Sequence, residues 1–309
     1  MRHQVVASPT LSTLGLLRCD LPLRQGQRNV LALLIFVGMC VWFRVPLVKL
    51  FVLASEHEHF SHLLLIPVLA FCLLFLNRTP ILTARTWSPL IGLLLMTGGA
   101  VCEWLVDGQD WAQDRLAVAI VAFVAMCWGL FLFSFGDELF RKNLFALVML
   151  LFMVPLPTVF QNTTIAFLQR GSADTVEVLF FALGIPVIRD GFIFNLSNFS
   201  VVVAEECSGI RSFLVILITS LVAGYWFLKS WWARTALMVV VVPLAVIKNA
   251  FRIVGLAVLA NYVDPTYITN SVLHRSGGIP LFLLSLVILV GVVWVLRRYE
   301  CRLASVRIQ

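Results

Sequence analysis

Apolar residues run through this chain in long blocks separated by short polar stretches, with little of the alternation that marks half-buried strands. A bilayer core of about 30 Å takes about 20 mostly apolar residues per helix. Windows of that kind fall near 30–52, 60–77, 88–105, 116–135, 144–160, 207–228, 235–262 and 279–296. The pattern predicts an all-α polytopic membrane protein with about eight transmembrane helices. Arg44 and Lys49 interrupt the first window, and Pro155 and Pro157 fall near the end of the fifth, so seven to nine is the expected range. No polar stretch approaches the ~100 residues of a typical soluble domain, which leaves one membrane-embedded domain over 1–309.

One segment departs from the pattern. Residues 161–184 place Ile165, Leu168, Val176, Leu179 and Phe180 at helical spacing, with Gln169, Arg170, Asp174 and Glu177 among them, as expected of an interfacial helix. Gly184-Ile-Pro186 ends it. Residues 187–204 then carry Val187-Ile188, Phe192-Ile-Phe194 and Val201-Val-Val203 separated by turn signals at Asp190-Gly191 and Ser197-Asn198. These predict a small β-hairpin-like element, so 161–206 reads as an outer-face segment of one helix and short strands.

Composition strengthens the membrane assignment. The chain is 61% apolar and 13% charged, whereas soluble domains run near 45–50% and 25%. The net charge of +7 is informative through its placement, because short cytoplasmic loops accumulate Lys and Arg. With the N-terminus inside, Arg2, Arg18, Arg24, Arg28, Arg78, Arg85, Arg141, Lys142, Lys229, Arg234, Arg297, Arg298, Arg302 and Arg307, fourteen of twenty-three, fall in the cytoplasm. Only four of the sixteen acids join them, Asp20, Asp137, Glu138 and Glu300. Residues 1–29 and 297–309 are therefore expected to be cytoplasmic tails, and the first span to be uncleaved because no small-x-small site follows the basic region. Seven cysteines scattered through apolar segments suggest neither a disulfide framework nor a CxxC metal site.

Ionisable groups inside spans cost roughly 2.5–3.5 kcal/mol each and usually face a cavity or a partner. Arg252 follows Lys248 by one turn in the seventh window, about 27 Å along the helix from Arg234 at ~1.5 Å per residue. His274 and Arg275 precede the eighth window, Cys207 opens the sixth with Arg211 one turn later, and His62 opens the second. The topology set by loop charges delivers Cys207, Arg252, His274 and His62 to one membrane face. Cys207 is expected at a helix's first turn, beside Ser208-Gly209, where free N–H groups favour a thiolate. Glu205 and Glu206 oppose that, which calls for compensation from Arg211, Arg252 or a histidine. Lys248 reads as a snorkelling residue or a partner for those acids, and the Glu56-His57-Glu58-His59 run as a solvated loop. A thiol, an imidazole and a guanidinium suffice for acyl transfer. No serine-hydrolase elbow, His-Glu-x-x-His helix, phosphate loop or dinucleotide fingerprint occurs, and neither a metal nor a cofactor is expected.

Val203-Ala-Glu-Glu-Cys-Ser-Gly-Ile-Arg-Ser212, Asn249-Ala-Phe-Arg252 and the following His274 resemble the signature blocks of the exosortase/archaeosortase family of membrane cysteine transpeptidases. Phe60-Ser-His-Leu-Leu-Leu-Ile-Pro67, Pro155-Leu-Pro157, Gly184-Ile-Pro186 and Asp190-Gly191 extend the resemblance over about residues 55–280. Glu206 and Leu63 stand where a small residue and a glycine are usual, and the surroundings of His274 match loosely. The resemblance implies a catalytic set of Cys207, Arg252 and His274, with Glu205, Arg211, Asn249, His62 and Ser208 supporting it or binding substrate. It further implies a bacterial inner-membrane enzyme that acts on the outer face. Its partners would be the bilayer, membrane-anchored secreted proteins ending in a PEP-CTERM-like sorting signal, and a polysaccharide or lipid acceptor, with no nucleic acid. A protease that only hydrolyses is the nearest alternative. A secondary transporter and a non-catalytic scaffold are the readings from other classes.

Overall fold

The computed structural model describes residues 25–76, 89–106, 112–197, 199–205, 208–262 and 278–306, and it is helical apart from one small sheet. The chain divides into two compact units, Met1–Pro157 and Thr158–Gln309.

In the first unit, α1 (Gln25–Trp42) and α2 (Arg44–Glu56) lead through a 3-10 turn (Glu58–Leu64) into α3 (Leu65–Leu76). Then follow α4 (Pro89–Val106), α5 (Ala112–Lys142) and α6 (Leu144–Met149), with a last 3-10 turn at Leu150–Met153. Proline positions explain most of the boundaries. Pro46 cannot donate to Trp42, four residues back, and its ring crowds that carbonyl; α1 and α2 break there, at Phe43, with a 70° bend. Phe43 is fully buried against Phe123, with ring centroids 5.4 Å apart. Pro67 falls in the first turn of α3, which starts at Leu65, where the missing N–H costs no intrahelical bond. Ahead of Pro155, Val154 is extended (ψ 123°), which stops the helical run. Gly136 (φ 79°, ψ 175°) interrupts α5, and Ser134 O, two residues before the break, accepts from Arg28 of α1.

Small residues bring α4 and α5 together. A Cβ on Gly92 would lie 2.7 Å from Gly129 O, and one on Gly129 would lie 2.6 Å from Gly92 O. Close backbone approach of this kind is how helices associate where lipid removes the hydrophobic drive.

The second unit is built around α9 (Trp231–Tyr262), which packs against α7 (Thr158–Ala182), α8 (Ile210–Phe227) and α10 (Gly278–Val306). Three strands, β1 (Ile188–Asp190), β2 (Ile193–Asn195) and β3 (Ser200–Val202), form an antiparallel sheet in sequence order. Ile188 pairs with Asn195 and Ile193 with Val202. Two apolar cores divide the length of α9. Near its start Ala233, Leu237 and Val241 pack with Ile216 of α8 and Leu289 and Val293 of α10. Near its end Ala250, Ile253, Val254 and Ala257 pack with Ala173, Val176 and Phe180 of α7 and with Phe194, Val201 and Val203 of the sheet. Arg189 fastens the sheet to α7 by pairing with Glu177 at 2.5 Å and Asp174 at 2.8 Å. Hydrogen bonds to those two carboxylates hold its guanidinium pKa above the ordinary value. At the other end of the unit the Glu300 carboxylate accepts from Ser230 N (2.6 Å) and Lys229 N (3.2 Å), capping the N-terminus of α9.

The all-α membrane architecture with a small β-element holds, the element having three strands rather than the two of a hairpin. The expected helix over 161–184 appears as Thr158–Ala182. The count of eight spans is not confirmed: among the described residues, four helices are long and apolar enough to cross alone, or up to six when each of two broken pairs counts as one span. Phe60–Leu76 and Pro89–Leu105 are shorter apolar helices. Hydropathy windows register apolar length but not the proline and glycine breaks that divide a helix.

Gly92→Ala is expected to lower the thermal midpoint of the detergent-purified protein by the equivalent of about 1–3 kcal/mol, the cost of overpacking a helix contact. Gly98→Ala is the control, because nothing lies within 4 Å of a Cβ there; it is expected to leave the midpoint unchanged or slightly raised.

Candidate active site

Polar side chains gather where the two cores of α9 meet. Lys248, Asn249 and Arg252 fall on one helical face, since positions three and four apart are neighbours. Lys248 is 7% and Asn249 1% exposed. Asn249 Nδ2 donates to Ser172 Oγ of α7 at 3.0 Å. The Lys248 ammonium donates to Ser212 Oγ in the first turn of α8, and Ser212 Oγ donates to Gly209 O at 2.9 Å. Gln169 of α7 reaches over to donate to Val203 O at 2.6 Å, where the sheet hands over to the segment leading into α8.

Gly209 is the tight point. Its φ of 79° is left-handed, and an added Cβ would meet Asn249 Cγ at 3.0 Å and Oδ1 at 3.1 Å. Only glycine satisfies both conditions at little cost. The residue before it, Ser208, is 2% exposed, and its N–H donates to Glu205 O at 3.0 Å. The chain from Val203 to Ser212 is therefore tied to α7 by Gln169 and to α9 by Asn249 and Lys248.

Of the residues expected from the sequence, Ser208 and Asn249 are buried within this cluster. Arg252 is half-buried on α9, and Arg211 is exposed at the start of α8. Glu205 is exposed on the segment before α8. His62 belongs to the first unit, where it is buried in the 3-10 turn Glu58–Leu64. Cys207, with its neighbour Glu206, and His274 lie outside the described residues.

One expectation is corrected: helix α8 opens at Ile210 rather than 207, because left-handed Gly209 stands as its N-cap. Lys248, expected to snorkel or to pair with Glu205 or Glu206, donates to a hydroxyl on the neighbouring helix, and Glu206 lies outside the described residues. Sequence reasoning missed Ser172, Gln169 and Ser212. A signal existed for the first two: with Ile165, Leu168, Val176 and Phe180 they fall at spacings of three and four, and all six are buried on one face of α7.

Gly209→Ala is expected to cost about 1–2 kcal/mol for its left-handed backbone, and Asn249→Ala about 1–3 kcal/mol for leaving a buried hydroxyl unsatisfied. The double variant should cost less than the sum, because truncating Asn249 removes the atoms that crowd the new methyl. Denaturation of the four purified proteins measures this coupling; strict additivity would refute the contact.

A family model described as "Transmembrane exosortase (Exosortase_EpsH)" matches residues 53–291 of the chain. No curated protein and no solved structure matches it.

Proposed function

The chain belongs to the transmembrane exosortase family, and from that premise we propose that it cleaves the C-terminal sorting signal of membrane-tethered secreted proteins through a Cys207 thioester and passes them to an acceptor. Membership supports a transmembrane sorting transpeptidase or protease at the level of the family. The finer assignment rests on one observation. The turn Ser208–Ser212, next in the chain to Cys207, is locked by Asn249 and Lys248 onto the helix that carries Arg252.

In the proposed reaction Cys207 gives its thiol proton to His274 and its sulfur attacks the carbonyl carbon of the scissile peptide bond, while Arg252 holds the carbonyl oxygen as charge develops on it. The C–N bond breaks, and the departing amine takes a proton from His274. The thioester is then attacked by the acceptor's nucleophile, whose proton passes to His274. The C–S bond breaks and Cys207 is restored. Glu205, Arg211 and Ser208 are proposed to contact substrate or support the nucleophile. Both termini are proposed to be cytoplasmic and the reaction to take place on the periplasmic side of the inner membrane. A substrate anchored by its own helix would present its scissile bond at interfacial depth, and diffusion in two dimensions would replace tight capture from water.

Coexpression with a tagged secreted protein ending in a short motif, a membrane helix and an arginine cluster tests this. Cys207→Ser and Cys207→Ala, at wild-type protein levels, are both expected to leave the substrate uncleaved. Arg252→Ala and His274→Ala are expected to slow processing by about 10²-fold or more. Processing at the wild-type rate in both cysteine variants would remove the nucleophile and leave the scaffold reading in its place.

A further inference from the structure

The first unit contains a cavity of about 310 Å³ lined by Trp42, Lys49, Glu103, Trp104 and Arg115. We propose that it binds the phosphoethanolamine headgroup of a zwitterionic phospholipid.

The cavity lies at the depth where headgroups are found. Glu103 stands three residues before the end of α4, and Arg115 three residues after the start of α5. Each is therefore about 4.5 Å from its helix end. Trp42 and Trp104 are 63% and 71% exposed, and indoles on helix surfaces concentrate at the membrane–water boundary. The volume falls at the small end of the ~300–1,000 Å³ range of ligand pockets, which suits a headgroup.

Charge selects among headgroups. Lys49 and Arg115 supply two cations for a phosphodiester, and alone they would favour any anionic lipid. Glu103 changes that preference, because it lines the cavity half-buried, and a carboxylate in such a setting opposes a headgroup carrying only negative charge. Phosphoethanolamine answers both signs: its phosphate meets the cations, and its ammonium donates to the carboxylate with indole faces alongside. A choline headgroup has the phosphate and the positive charge but no N–H to donate. Glu103 and Arg115 also interact within the protein, so the headgroup joins an existing arrangement of charge. Nothing in the inference depends on the identity of the nucleophile.

Native mass spectrometry of the full chain, titrated with phosphatidylethanolamine, phosphatidylcholine and phosphatidylglycerol of matched acyl chains, is the test. Wild type is expected to retain phosphatidylethanolamine about tenfold over the other two, the worth of one charged hydrogen bond. Glu103→Gln, which is isosteric, should erase the advantage over phosphatidylcholine, and Lys49→Ala or Arg115→Ala should weaken both. Equal or stronger retention of phosphatidylglycerol by wild type would overturn the proposal without recourse to any variant. Undiminished selectivity in Glu103→Gln would do the same. Soluble glycerophosphoethanolamine binding as tightly as the lipid would overturn the assignment to a membrane source.

Discussion

A membrane helix that carries Lys248, Asn249 and Arg252 on one face has to find partners for them within the protein, since the hydrocarbon offers none. That requirement organises the second unit. Ser172 on α7 and Ser212 on α8 supply the hydroxyls, so both helices must approach α9 at the level of these residues. The apolar cores lie to either side, where the sequence of α9 turns to alanine and branched aliphatics. Packing energy holds the helices together, but the polar band fixes their register: sliding α7 or α8 along α9 by one turn would strand a buried ammonium or amide, at a cost far above that of one lost apolar contact.

The same constraint accounts for what could be read from the sequence. Arg252 and Asn249 stand out in a window that is otherwise apolar, and the positive-inside pattern sets the face on which they are expected. The strands over 187–204 were legible because aromatic and branched residues alternate with turn residues there, and the helix over 161–184 because its apolar positions repeat at helical spacing. For Lys248 local pattern reaches only so far: a long cation in a membrane helix can snorkel, yet this one donates to a serine 36 positions away, a pairing that no local pattern announces. Gln169 is noted in the sequence only as a polar residue among the apolar positions of that helix, yet it is buried and donates to Val203 O. Polar residues on the apolar stripe of α7 were the clue, and a reading that equates buried with apolar passes over them.

The span count stands unconfirmed through a different cause. Apolar length says that a segment prefers lipid, whereas crossing requires an unbroken helix or a break whose backbone groups are satisfied elsewhere. Pro46, Pro67 and Pro155 each remove a donor within an apolar run, and Gly136 takes a conformation that ends one. The residues were plain in the sequence; their consequences were not. A proline in the first turn of a helix is harmless, whereas one placed further in costs a backbone hydrogen bond and divides some helices but not α9, which runs on through Pro243, so the outcome depends on where the helix starts and what packs around it.

The sheet follows from the need for non-helical chain beside the candidate site. A segment that turns sharply at Gly209 and leaves Ser208 out of the helix exposes backbone N–H and C=O groups, which are costly at membrane depth unless bonded. Three short antiparallel strands satisfy their own ladder, and Val203 N closes onto Phe192 O. Phe194, Val201 and Val203 then bury the inner face of the sheet against α7 and α9, and Arg189 fastens it from the outer side of α7. The last residue of that inner face, Val203, is also the acceptor for Gln169. Sheet and helix are thus joined at a single residue. A loop of equal length without the ladder would have to order itself against α9 by side chains alone, at a backbone entropy cost of about 1–2 kcal/mol per residue. The strands meet that cost locally, ahead of the left-handed turn at Gly209.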